Sequence, residues 1–136
     1  FGLWLARDSP DTSIVGIELD PQAIEAADAT AVDWGLTNCR FVARPAEKAL
    51  GEIPPVDLVI VDPPRSGLEE KLLRSLIERG PRAFVYVSCE PATLARDLKI
   101  LVEGGYAVRS VEMFDFFPQT YHVESLAFLE KVMSDE

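Results

Sequence analysis

Val56-Asp57-Leu58-Val59-Ile60-Val61-Asp62-Pro63-Pro64-Arg65 (residues 56–65) passes from a β-branched, apolar run straight into a double-proline break. A short continuous apolar run bounded by a breaker reads as a strand buried on both faces, and such strands belong to parallel sheets with covered faces. Downstream the period changes. Leu68 to Arg79 is amphipathic and ends at Gly80-Pro81, so a helix follows. Ala83 to Ser88 is a second buried strand, Glu90 to Val102 a second helix, and Gly104-Gly105 ends it. Tyr106 to Phe116 and Ser125 to Val132 read as two last strands around the polar loop Pro118 to Val123. With no helix between them, they are expected to form an antiparallel edge pair.

Upstream the alternation holds. Ser13 to Leu19 is a strand, and Asp20-Pro21 caps a helix that runs through Ile24, Ala27, Ala31 and Trp34 to Gly35. Arg40 to Ala43 is a weaker strand, and Pro45 to Leu50 a short helix or turn. Phe1 to Arg7 reads as a helix whose start lies further upstream. Strand-helix alternation implies an α/β fold with a parallel sheet. No repeat or linker divides residues 1–136, so one domain is expected.

Lys and Arg number 13 against 23 Asp and Glu, a net charge of −10, which disfavours a general nucleic-acid coat. The two cysteines, Cys39 and Cys89, make neither a disulfide framework nor a four-ligand zinc site, and no metal is expected. No apolar stretch reaches the roughly 18 residues of a membrane span. No basic-then-apolar leader opens the chain. A cytoplasmic, reducing setting and no membrane partner are expected.

In open α/β sheets chemistry gathers at the carboxyl ends of the strands. Glu18 ends its strand; a carboxylate there can accept both hydroxyls of a ribose, or merely cap the next helix. Asp62-Pro63-Pro64-Arg65 forms a rigid turn lacking two amide donors, fit to orient a planar base or a methyl donor, or simply a stiff connection with Arg65 solvated. Cys89 ends its strand where a helix starts, a setting that favours the thiolate nucleophile; a lone cysteine is more commonly structural. Cys39 has no such setting and is read as structural. His122 is the single histidine and invites a Cys-His pairing, although a lone histidine in a polar loop is more often scaffold. Glu124 begins the last strand among apolar residues, where a carboxylate can trade protons near neutrality or face water at the sheet edge.

Four stretches carry a family resemblance. They are Val15-Gly16-Ile17-Glu18 with the Ala-rich helix after it, Asp62-Pro63-Pro64-Arg65-Ser66-Gly67, the run from Val85 through Ser88-Cys89-Glu90-Pro91-Ala92-Thr93-Leu94-Ala95-Arg96-Asp97 to Leu98, and Phe117-Pro118-Gln119-Thr120-Tyr121-His122-Val123-Glu124. In this order they resemble the catalytic half of the RNA uracil-C5 methyltransferases, S-adenosylmethionine enzymes that make 5-methyluridine in ribosomal and transfer RNA. The resemblance implies a Rossmann-like methyltransferase sheet, mostly parallel with an antiparallel final strand. It implies that Glu18 binds the ribose of S-adenosylmethionine and that Asp62 lies beside donor and target base. Cys89 would be the nucleophile, Glu124 the proton acceptor and Arg65 a supporting residue.

The family's first strand and Gly-rich donor loop would precede Phe1. This chain would then be the C-terminal part of a longer enzyme, inactive alone, whose RNA-binding regions lie upstream. The family commonly has Asn after its catalytic Cys, where this chain has Glu90. A related RNA cytosine-C5 methyltransferase is a second reading, but that family generally uses two cysteines at neighbouring strand ends. A methyltransferase-like binding module without catalysis is a third. The decisive geometry is whether Asp62, Cys89 and Glu124 share one edge of the sheet, with Glu18 further along it.

Overall fold

The computed structural model describes residues 1–116, 118–120 and 122–132. The chain forms two compact units, Phe1–Pro54 and Pro55–Glu136.

The first unit runs α1 (Gly2–Asp8), β1 (Ile14–Glu18), α2 (Pro21–Asp33), β2 (Cys39–Ala43) and α3 (Ala46–Ala49), which continues into a 3₁₀ turn, Leu50–Glu52. β1 and β2 pair in parallel, from Ile14 opposite Cys39 to Glu18 opposite Ala43. Parallel pairing needs a crossover, and α2 supplies it. The Asp20 side chain accepts a hydrogen bond from the Gln22 N–H, and Pro21 opens the helix, as the sequence predicts. Gly16 lies opposite Phe41; a Cβ there would come 2.5 Å from the ring, so glycine is what lets the aromatic lie across the strand. The Asn38 amide donates to the carbonyls of Ala6 and Thr12, both at 2.9 Å, and so ties the segment after α1 to the start of β2.

The second unit runs β3 (Leu58–Val61), α4 (Glu70–Arg79), β4 (Ala83–Ser88), α5 (Pro91–Glu103), β5 (Tyr106–Phe114) and β6 (Glu124–Lys131). Its four strands lie in the order β3-β4-β6-β5. β3 and β4 are parallel, while β6 is antiparallel to both β4 and β5. Three strands therefore point one way and the last points back, the arrangement expected from the sequence. The expected antiparallel edge pair is present: β5 and β6 pair antiparallel and are the last two strands at one side of the sheet. Within that pair β5 is the outer strand, and β6 is the inner one, between β4 and β5. The reason lies in its side chains: Ser125, Ala127 and Leu129 are buried on one face, and Leu126 and Phe128 are half-buried on the other. A strand covered on both sides belongs inside a sheet.

The core is built from Leu72, Leu73 and Leu76 of α4, Phe84 and Tyr86 of β4, and Leu94, Ile100 and Leu101 of α5. Phe84 meets Tyr106 edge to face at 4.9 Å, and the Tyr106 hydroxyl donates to the Pro81 carbonyl at 2.7 Å. Burial pushes the Tyr106 hydroxyl pKa up, so it stays a donor.

Candidate active site

Sheet register places the second unit's candidate residues. Val61 ends β3 and lies opposite Tyr86 of β4, so Asp62 leaves the sheet close to where β4 ends. Ser88 of β4 pairs with Ser125 of β6, so one step beyond that pair stand Cys89 on one strand and Glu124 on the other. On its other side Glu124 pairs with Phe114, the last residue of β5. Asp62, Cys89 and Glu124 thus meet at one end of one sheet, the carboxyl end of its parallel strands. Asp62 is exposed; Cys89 and Glu124 are half-buried.

The turn at Cys89 is tightly made. The Ser88 hydroxyl accepts from the Glu90 N–H at 3.1 Å and lies 3.1 Å from the Glu90 carbonyl. Glu90 caps α5 by accepting from the Ala92 N–H at 3.4 Å. A carboxylate here thus makes the capping contact that asparagine makes at other helix starts.

The loop after β3 is held from outside. Within it the Gly67 N–H donates to the Pro64 carbonyl at 2.8 Å and closes a turn. Three residues of α5 then grip it. The Thr93 hydroxyl is 2.9 Å from the Arg65 carbonyl. The Arg96 guanidinium donates to the carbonyls of Ser66 (3.0 Å) and Leu68 (3.1 Å). The fully buried Asp97 carboxylate accepts from the Leu68 N–H at 2.9 Å. The same Asp97 oxygen accepts from the Tyr86 hydroxyl, and the other from Arg96 at 2.8 Å. Burial, reinforced by the hydrogen bond to Asp97 and its negative charge, pushes the Tyr86 hydroxyl pKa far up, so Tyr86 remains a donor at neutral pH.

Arg65 is not simply solvated. Its Nη2 lies 3.2 Å from His122 Nδ1. A guanidinium only donates, so Nδ1 accepts and the proton of a neutral ring sits on Nε2. That contact joins the Asp62–Arg65 turn to the segment entering β6. Phe117 and Tyr121, which belong to the fourth motif, lie outside the described residues.

In the first unit, Glu18 is exposed at the end of β1. Its Oε1 accepts from the N–H groups of Leu19 (2.6 Å) and Asp20 (3.1 Å), so the carboxylate is oriented by its own strand-end turn. The helix cap is Asp20 rather than Glu18. Cys39 is half-buried at the start of β2. Among the described residues no group of three or more His, Cys, Asp or Glu could hold a metal ion.

Sequence reasoning missed Tyr86, Thr93, Arg96 and Asp97. The signal was present for Asp97: it falls three residues after Leu94 and four before Leu101, on the apolar stripe of α5. A charge on a buried stripe needs partners.

Residues 28–132 match the family model described as tRNA (uracil-5-)-methyltransferase. An uncharacterized RNA methyltransferase of Caldanaerobacter subterraneus is 45% identical over 119 residues, covering 87% of this chain and 26% of the relative. One of Enterococcus faecalis is 43% identical over 136 residues, covering 97% of this chain and 29% of its own length. Among solved structures, the Pyrococcus abyssi tRNA (uracil-54, C5)-methyltransferase in complex with S-adenosyl-L-homocysteine superposes with a TM-score of 0.80 at 35% identity, over 95% of this chain and 30% of that one. The chain therefore spans between a quarter and a third of the length of these relatives.

Proposed function

Because this chain belongs to the tRNA (uracil-5-)-methyltransferase family, we propose that it carries the reacting residues of an S-adenosylmethionine-dependent enzyme that methylates C5 of a uridine in ribosomal or transfer RNA. The observation that supports this most is the convergence of Asp62, Cys89 and Glu124 at one end of one sheet. A non-catalytic module has no need to bring a thiol and a carboxylate to facing positions on neighbouring strands. The cytosine reading loses ground because the second unit holds a single cysteine, Cys89.

Glu18 fits the ribose of the donor: two backbone N–H groups hold an exposed carboxylate at a strand end, ready to accept hydroxyl donors. When bound, S-adenosylmethionine supplies an electrophilic methyl group. This chain does the rest. Uracil C5 is a poor nucleophile, and the Cys89 thiolate remedies this by forming a bond to C6. The electron pair of the C5–C6 double bond moves into an enolate, and C5 becomes nucleophilic. Once C5 carries the methyl group it still holds its proton. The Glu124 carboxylate takes that proton, the pair returns to C5–C6, and the C6–S bond breaks with Cys89 leaving as thiolate. Asp62 and Arg65 hold the base, which must leave its stack to reach them.

The test uses the complete product of the gene, labelled RNA and labelled donor. Cys89→Ala is expected to abolish transfer. Glu124→Gln is expected to allow addition and methylation but slow release by about 10²–10⁴-fold, so that a covalent protein-RNA adduct persists on denaturing electrophoresis. Methylation at near-normal rate by Cys89→Ala would overturn the mechanism.

A further inference from the structure

The turn that carries Asp62 and Arg65 has an unusual weakness. Pro63 and Pro64 have no N–H, so the first half of the loop cannot be anchored through its own amide donors. Its backbone anchors fall later, on Arg65, Ser66 and Leu68, and come from α5. The same helix starts immediately after Cys89 and is capped by Glu90. α5 therefore connects the thiol's turn to the Asp62 turn as one rigid piece.

At the centre of that connection is Asp97, with a fully buried side chain beside a half-exposed Arg96. Burying a carboxylate is costly, and well-packed apolar groups often serve stability as well or better. Here the carboxylate sits on the hydrophobic stripe of a helix, reached by a buried tyrosine, an arginine and one loop amide. Every contact that these α5 residues make to the loop is to backbone, so what the cluster controls is the loop's position. Gly67 shows how close the approach is: a Cβ there would come 2.6 Å from both Arg96 Nη2 and Asp97 Oδ2.

We propose that Asp97, held by Tyr86 and Arg96, is a positioning group that sets the Asp62–Arg65 turn relative to Cys89 and thereby governs turnover without touching substrate. This rests on the roles assigned above to Asp62, Arg65 and Cys89. Misplacing reacting groups by about 1 Å costs on the order of 10²-fold in rate.

In the complete gene product, Asp97→Asn is expected to lower kcat for uridine methylation about 10²-fold, with KM for RNA and donor nearly unchanged. Tyr86→Phe removes one donor and keeps the ring, so a smaller fall in kcat is expected. Hydrogen exchange at the Leu68 amide should speed up in both, while amides of α4 keep their protection. A merely structural role would lower Tm and leave kcat per folded molecule unchanged. Should Asp97→Asn fail to fold, Tyr86→Phe decides alone. Normal kcat with normal Leu68 protection in the folded variants overturns the inference and leaves the reaction untouched. Absence of uridine methylation by the unsubstituted protein overturns the reaction itself, and this inference with it.

Discussion

Gly67 adopts φ +74°, where a side chain is strained, and has no room for a Cβ against Arg96 and Asp97. Gly67→Ala should therefore cost about 1–3 kcal/mol, read as a lower urea midpoint with an unchanged slope. The choice of base can be tested at single residues as well. His122 and Glu124 are two apart, so both flank the entry to β6, but His122 Nδ1 is occupied by Arg65. His122→Asn is expected to slow turnover less than Glu124→Gln and to leave no adduct. A persistent adduct with His122→Asn, and none with Glu124→Gln, would hand the proton to the histidine. Tyr86 sets a pH dependence whose sign is fixed. Burial first, then the bond to Asp97 and its charge, raise its pKa above the ordinary value of 10.0. The fold thus holds this proton more tightly than the unfolded chain does. That contribution to stability is complete below about pH 10 and is lost as pH climbs beyond it. Tyr86→Phe should be less stable by about 1–3 kcal/mol at neutral pH, yet lose less on going into strong alkali. Urea midpoints measured across that range would check both signs.

α4 shows why the helices were legible before the structure. Leu72, Leu73 and Leu76 fall three and four apart, and all three are buried. Leu73 is fully enclosed, so Leu73→Ala should cost about 2–5 kcal/mol, measured by denaturant unfolding. β3 and β4 were legible for the complementary reason: they are continuous apolar runs that end abruptly, at Pro63 and at the start of α5. Those ends also made Asp62 and Cys89 legible, since a parallel strand's carboxyl end is where an α/β sheet presents its chemistry. The place of β6 was not legible. A short connection tells that β5 and β6 pair, but nothing local says that β6 enters between β5 and β4. Arg65 and His122 are 57 residues apart, and their contact follows only from that insertion. Asp97 escaped for a different reason. Counting apolar positions identifies a stripe, and the one charge on it is then easily passed over.

The net charge of −10 bears on what these 136 residues can do by themselves. Affinity for RNA grows with the number of phosphates that Lys and Arg neutralise. Much of the positive charge here is already spoken for. Arg7, Arg44, Arg74, Arg96 and Arg109 each pair with a carboxylate, at distances from 2.5 to 2.9 Å. Arg65 faces His122 and is the basic residue of the Asp62 turn. A surface of this kind has little electrostatic hold on an RNA strand. The 136-residue chain is accordingly expected to bind a uridine-containing RNA more weakly than about 10⁻⁴ M at physiological salt, the weak end of non-specific association. Its log–log salt slope should be shallow, because few counterions are released. The relatives are three to four times longer, matching this chain over only 26–30% of their length. A full-length relative such as the Enterococcus faecalis protein is therefore expected to bind the same RNA more tightly and with a steeper slope. Fluorescence anisotropy of both proteins at three salt concentrations decides the matter. Micromolar binding by the 136 residues with a steep slope would mean that a local basic surface outweighs the net charge. Equal affinities for the two proteins would mean that the hold on RNA resides within this chain after all.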